Sequence, residues 1–200
     1  MAANLAAIML SAGLSRRMGT CKQLLPLGGK TVIDCCLETL LGGGISEIVV
    51  VVGLHGEEIR KAVQGYPVTV VQTLDPEGDM AASVRTGRGA LSPAVSGVLV
   101  ALSDHPLVSP LTVELLAALH REDQNAVIIP VHGGRKGHPT LFPRDLLDKL
   151  EEPLTLRDLV RSNPDRLRLV EVPDPGLCLD MDTPEDYLRI AEIYRAKTRP

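Results

Sequence analysis

The 200-residue sequence predicts an α/β fold: one doubly wound domain over residues 1–200, its mostly parallel sheet covered by helices on both faces. Two observations lead there. Short segments such as 5–10 and 48–52 are apolar along their whole length, which a strand buried on both faces requires. Longer stretches with helical spacing separate them, and strands alternating with such helices build parallel βαβ units.

Segment 5–10, Leu-Ala-Ala-Ile-Met-Leu, reads as the first strand, and 32–41 as the first helix. Gly42-Gly43-Gly44 ends that helix, because glycine accepts the left-handed conformation common just past a C-terminus. Further strands are expected at 47–52, 68–72, 97–102 and 126–130, with later candidates at 167–172 and 177–181. Helices are expected at 56–64, 80–91, 112–122, 144–150, 155–163 and 184–197. The last starts at Thr183-Pro184, a capping hydroxyl followed by a residue that needs no amide partner in the first turn.

Composition narrows the function. A net charge of −4 argues against general binding to nucleic acid or a membrane surface, which calls for basic patches. One Phe, three Tyr and no Trp provide no stacking platform for single strands. The apolar runs are far too short to span a bilayer, and the N-terminus lacks a signal-peptide pattern, so the cytoplasm is the expected location. Cys21, Cys35, Cys36 and Cys178 form no C-x-x-C pair and have no metal-finger spacing. They read as reduced thiols, with Cys35 and Cys36 in an apolar helix suited to burial.

In a sheet of this kind ligands sit beyond the carboxyl ends of the strands. After the first strand comes Leu10-Ser-Ala-Gly-Leu-Ser-Arg-Arg-Met-Gly-Thr-Cys-Lys22. Small residues let backbone N–H groups approach phosphates, and Arg16, Arg17 and Lys22 neutralise them, as a nucleoside triphosphate needs. The spacing fits neither a Walker loop nor a dinucleotide fingerprint. Asp104 follows the apolar run 98–102, and Asp180 and Asp182 alternate around Met181, sharing a face if that segment is a strand. Magnesium is held by one or two carboxylates plus substrate phosphates, so these aspartates fit a magnesium nucleotide. Zinc is a weaker fit, since His132 and His138 are the one close histidine pair and have no thiol or carboxylate nearby in sequence. A hydrolase is weaker still: Gly13-Leu-Ser-Arg-Arg17 lacks the second glycine of a nucleophile elbow, and the adjacent Ser103, Asp104 and His105 cannot form a triad.

The stretch from Leu10 to Lys22, followed by Leu24-Leu-Pro-Leu27, resembles the signature of the molybdenum cofactor nucleotidyltransferases. These sit within the wider class of sugar-phosphate and isoprenoid nucleotidyltransferases. The resemblance continues in order through Met80-Ala-Ala-Ser-Val-Arg-Thr-Gly87, Asp104-His-Pro-Leu-Val108, Gly137-His-Pro139 and Asp180-Met-Asp-Thr-Pro-Glu-Asp-Tyr187. Ala12 before Gly13, with the Gly-His-Pro motif, is closer to the cytidylyltransferase branch than to the guanylyl branch.

The resemblance implies a Rossmann-like nucleotidyltransferase that needs Mg2+. The terminal phosphate of molybdopterin attacks the α-phosphate of CTP and pyrophosphate leaves. Arg17 and Lys22 would hold the triphosphate and stabilise the transferring charge, with Asp104 completing the catalytic set. The backbone of Leu10, Ser11, Ala12 and Gly13, with Ser83, would line the nucleotide pocket. Asp104 would bind the metal together with Asp180 or Asp182, and Gly137, His138 and Pro139 would face the acceptor. Nucleotide binding would then occupy residues 1–110 and acceptor binding 111–200, with an apo molybdenum hydroxylase as a possible recipient.

Three departures bear on this reading. Ser103-Asp104-His105-Pro106 stands where the family has Gly-Asp-Gln-Pro. Pro76 and Asp79 replace a tryptophan and a glycine ahead of Met80, which puts a negative charge near a nucleotide. Glu151-Glu-Pro-Leu-Thr-Leu-Arg157 replaces a Gly-Asp-x-Gly-Ala-Arg motif where the second substrate is expected. The alternatives are a same-fold enzyme using GTP or another phosphate acceptor, or a non-catalytic carrier of the cofactor.

Overall fold

The computed structural model describes residues 4–13, 17–73, 75 and 79–198. Strand β1 (Leu5–Ser11) is followed by a short hairpin, β2 (Pro26–Leu27) and β3 (Lys30–Thr31), then helix α1 (Val32–Gly42). Next come β4 (Glu47–Val52), α2 (Gly56–Ala62), β5 (Val68–Gln72), α3 (Met80–Arg88), β6 (Gly97–Leu102) and α4 (Pro110–Glu122). The chain continues through β7 (Val127–His132), β8 (Arg135–Lys136), β9 (Thr140–Pro143), α5 (Arg144–Leu147) and α6 (Leu156–Arg161). It ends with β10 (Leu167–Glu171) and α7 (Pro184–Thr198).

The main sheet runs β10-β7-β9-β6-β1-β4-β5, with β8 paired to β7. The pairs β1–β4, β4–β5, β1–β6 and β7–β10 are parallel, whereas β9 runs antiparallel between β6 and β7. Alternation along β1 builds the two layers. Ala7 and Met9 join Ile33, Leu37 and Leu40 of α1 and Val113 and Leu116 of α4 in one apolar cluster. Ala6 and Ile8 face the other way, against Ala81 and Val84 of α3 and Leu146 and Leu147 of α5. A third cluster packs Ile190 and Ala191 of α7 against Val32, Leu107 and Met181.

The predicted fold class holds, and the expected strands at 47–52, 68–72 and 97–102 match β4, β5 and β6 residue for residue. The start of α7 is a reciprocal cap: Asp186 N–H donates to Thr183 Oγ1 at 3.2 Å, and Thr183 N–H donates to Asp186 Oδ2 at 2.9 Å. Gly43 closes α1 against α4, where a Cβ would lie 2.4 Å from Val113.

One expected strand is absent. Residues 175–178 form a single 3-10 turn, Pro175–Cys178, instead of starting a strand at 177. Asp174 dictates this. One of its carboxylate oxygens accepts from Gly176 N–H at 3.0 Å, and the other from Ser109 N–H at 2.8 Å and Thr112 Oγ1 at 2.7 Å. That buried carboxylate ties the turn to the start of α4, and Pro175 contributes no ladder donor.

Close helix–sheet packing rests on Gly87, where a Cβ would fall 2.7 Å from Ile8 and 2.9 Å from Val51. Gly87→Val should overpack this interface and cost about 1–3 kcal/mol, read as a lower urea midpoint at unchanged slope.

Candidate active site

The chain leaves β1 toward β4 and β5, then returns to β6 on the opposite side of β1. That reversal is a topological switch point, where neighbouring loops diverge and open a crevice. Leu10 lies beside Leu102 across it, so the residues following β1 and β6 meet. Two buried hydroxyls join the strand ends: Ser11 Oγ donates to Ser103 Oγ at 2.9 Å, and Ser103 Oγ donates to the Leu10 carbonyl at 2.8 Å. Ser103, which stands where the family has glycine, therefore fixes the backbone from which Asp104 projects.

Lys22 is the centre of the site. Its ammonium donates to Asp104 Oδ2 at 2.6 Å and to Asp182 Oδ1 at 2.9 Å. Arg17 Nη2 reaches the other oxygen of Asp182 at 2.6 Å. Met181 N–H bonds the Asp104 carbonyl at 3.1 Å, which brings the segment before α7 alongside the end of β6. Burial alone would push the Lys22 ammonium down, but the charges and hydrogen bonds of Asp104 and Asp182 outweigh it and hold it above its ordinary value. The same bond from Lys22, aided by Arg17, holds the Asp182 carboxyl below the usual carboxylate range.

The second oxygen of Asp104 is buried and has no hydrogen-bond partner among the described residues, with His105 Nε2 3.6 Å away. A carboxylate oxygen left bare beside an ammonium already shared with a second carboxylate is a cation position. The residues present thus fit a divalent ion.

The other expected site residues fall as follows. Asp180 is solvent-exposed, since the chain around Met181 is not a strand, and it is Asp182 that joins Lys22 and Asp104. Ala12 and Gly13 lie at the rim, and Gly53 makes room for the first: a Cβ there would be 2.7 Å from the Ala12 carbonyl. Arg16 and Pro76 lie outside the described residues. Ser83 is buried in the first turn of α3, whose N-terminus is capped by Asp79 accepting from Ala82 N–H at 2.8 Å. Gly137 is a buried packing residue, where a Cβ would meet Leu177 at 2.6 Å, and the buried Pro139 lines the cavity beside His105 and His138.

His138 does reach the site. Its ring centroid is 6.2 Å from that of His105, and its Nδ1 lies 3.2 Å from the Val100 carbonyl. Burial lowers its pKa. The two histidines, with Met9, Cys36 and Thr39, line a cavity of about 20 Å³, room for one water. His132 is pinned elsewhere, its Nδ1 2.8 Å from the Val172 carbonyl, so it forms no pair with His138. The 151–157 segment is bound to α3, through Arg85–Glu152 at 3.2 Å and Arg88–Glu151 at 2.8 Å. Sequence reading weighed Ser103 and His105 only as members of a rejected triad and as a departure from the family pattern, and gave them no role beside Asp104.

Known proteins share this chain's sequence pattern and fold. The MobA-like NTP transferase domain matches residues 7–167. The chain belongs to that family. It is 27% identical to the molybdenum cofactor cytidylyltransferase of Escherichia coli (strain K12), over 94% of this chain and 95% of that protein. It is 28% identical to the nicotine blue oxidoreductase of Paenarthrobacter nicotinovorans, over 92% and 94%. A solved nucleotidyl transferase from Methanothermobacter thermautotroptrophicus superimposes with a TM-score of 0.83 at 27% identity, over 98% of this chain and 99% of that one. The protein is thus a nucleotidyltransferase. No helix among the described residues is long and apolar enough to cross a membrane.

Two outcomes test the ion-pair centre. A double-mutant cycle with Lys22→Met and Asp104→Asn in urea unfolding should return about 0.5–3 kcal/mol of coupling, with the single Lys22 change the more damaging. Because Asp182 is held low, its contribution is fully present above its unfolded pKa of about 3.9 and is lost as pH falls through the lower folded value. Acid unfolding of Asp182→Asn should therefore be shallower than that of the wild type over this range.

Proposed function

We propose that this nucleotidyltransferase moves CMP from CTP to the terminal phosphate of a molybdopterin-type cofactor and releases pyrophosphate. The observation that carries this reading is the Lys22 bridge between Asp104 and Asp182 at the switch point, with Arg17 beside it. A site built for transfer of a charged phosphoryl group needs cations it can redirect and carboxylates that can take a metal in their place. Pure delivery of a cofactor needs neither.

In this reading the backbone of Leu10 to Gly13 and the side of α3 near Ser83 hold the nucleotide. Arg17, already exposed, turns onto the phosphates, and Lys22 stabilises the charge that develops at the α-phosphate. Asp104 and Asp182 hold Mg2+, which supplies charge neutralisation and orients the phosphates. An acceptor phosphate oxygen forms the new bond to the α-phosphorus as the bond to the bridging oxygen breaks, and pyrophosphate carries away the electron pair. His138 is the member of the Gly137-His138-Pro139 motif set against the site, on the acceptor side formed by residues 111–200. Choice of CTP rests on Ala12 and on the similarity to the cytidylyltransferase, and the cofactor acceptor on that same similarity.

The test is pyrophosphate release with Mg2+ and molybdopterin, comparing CTP, GTP, ATP and UTP. CTP-selective release is expected, reduced at least about 100-fold in Asp104→Ala with the fold intact. GTP-selective release would move the base assignment, and cofactor binding without release from any nucleotide would replace transfer by carriage.

A further inference from the structure

A second donor cluster lies apart from the carboxylates, on the far side of Lys22's own backbone. Cys21 precedes the 3-10 turn Lys22–Leu24, and its thiol is buried. His55 is the residue before α2, and Glu58 lies in the first turn of that helix. One ligand atom from each of Cys21, His55 and Glu58 falls within 4.8 Å of the other two. The His55 Nδ1–Glu58 Oε2 distance is 3.4 Å. Donors on a tetrahedral metal with bonds of about 2.0–2.3 Å sit roughly 3.3–3.8 Å apart, so small side-chain rotations close the set.

The donors select the metal. A thiolate, an imidazole and a single carboxylate suit a borderline-soft ion, whereas magnesium takes oxygen ligands and keeps several waters. The thiol now donates to Gln23 Oε1 at 3.3 Å, a single bond that a metal would replace as the thiol proton leaves. His55 is half-buried and Glu58 exposed, and they give an ion a route in. We infer that Cys21, His55 and Glu58 form a three-ligand site for a divalent metal of the zinc class, separate from the Asp104–Asp182 site. Its fourth position is open to water. Because Cys21 adjoins Lys22, a metal held there ties the backbone of the phosphate-facing loop to α2.

The probe is Co2+ alone added to the full chain without nucleotide, followed by displacement with Zn2+. One equivalent should give thiolate-to-cobalt charge-transfer absorption that Zn2+ abolishes. The band should vanish in Cys21→Ser, persist in Cys178→Ser and Asp104→Asn, and need at least about tenfold more Co2+ in His55→Ala. Circular dichroism melts report whether Cys21→Ser folds. If it does not, the partly exposed His55 and Glu58 carry the test through His55→Ala and Glu58→Gln. Absence of a thiolate band, a band that survives Cys21→Ser, or one lost in Asp104→Asn would overturn the site.

Discussion

Everything at the switch point depends on one ammonium held by two carboxylates. Lys22 comes from the loop after β1, Asp104 from the end of β6 and Asp182 from the segment before α7, so one nitrogen joins three distant parts of the chain. The Lys22 side chain is only 9% exposed, and a cation so placed needs counter-charges. With Arg17 included, two cations face two carboxylates, and the centre is neutral as it stands. A neutral centre has no surplus charge with which to hold a triphosphate. A triphosphate that draws Lys22 and Arg17 onto its oxygens uncovers both carboxylates, and this is the physical reason a divalent ion suits the substrate here.

The sheet makes that meeting possible. Parallel pairing sets Leu10 beside Leu102, and the two serine hydroxyls lock the strand ends in register. The antiparallel β9, inserted between β6 and β7, carries His138 to the same edge as it turns out of the Gly137 loop. The Asp174 turn and the Met181–Asp104 backbone bond then deliver Asp182 from a segment with no strand pairing of its own. Strand β6 thus sets Asp104, a 3-10 turn in the loop after β1 sets Lys22, and a capped, irregular segment sets Asp182.

The legible parts of this design are those where one period dominates the local sequence. Strands β4 and β6 are mostly Val, Ile and Leu, with Glu47 opening the first and Gly97 the second, and their positions follow from burial on both faces. The pairs β2–β3 and β7–β8 contribute two residues per short strand, too few to leave a pattern, and β9 has only four. Residues 177–181 mislead for the opposite reason: Leu177, Leu179 and Met181 alternate with polar neighbours, yet Asp174 and Pro175 commit the start of the segment to a turn. Asp104 and Lys22 were readable from their places after β6 and β1. The choice of Asp182 over Asp180 was not, because it depends on a kink set by Asp186 accepting from both the Asp182 and Thr183 amides. In the thiol–imidazole–carboxylate cluster only His55 and Glu58, three residues apart, are close in sequence, and Cys21 joins them through the fold.

The departures from the family pattern gain a structural meaning in this frame. Asp79, a negative charge where a glycine is usual, caps the positive end of α3, so part of its charge is already answered by that helix. Glu151 and Glu152, in place of a substrate-facing motif, are bound to Arg88 and Arg85 of α3. Arg88 also donates to the Leu147 and Asp148 carbonyls, both at 2.9 Å, satisfying the end of α5. These arginines and glutamates anchor the 151–157 segment to the outside of the layer that carries α3, and a segment so committed cannot also wrap a second substrate without giving up those bonds. On the proposed reading, recognition of the acceptor falls to groups at the strand ends, where His105 lies 3.6 Å from Asp104 and the His138 ring packs beside that of His105.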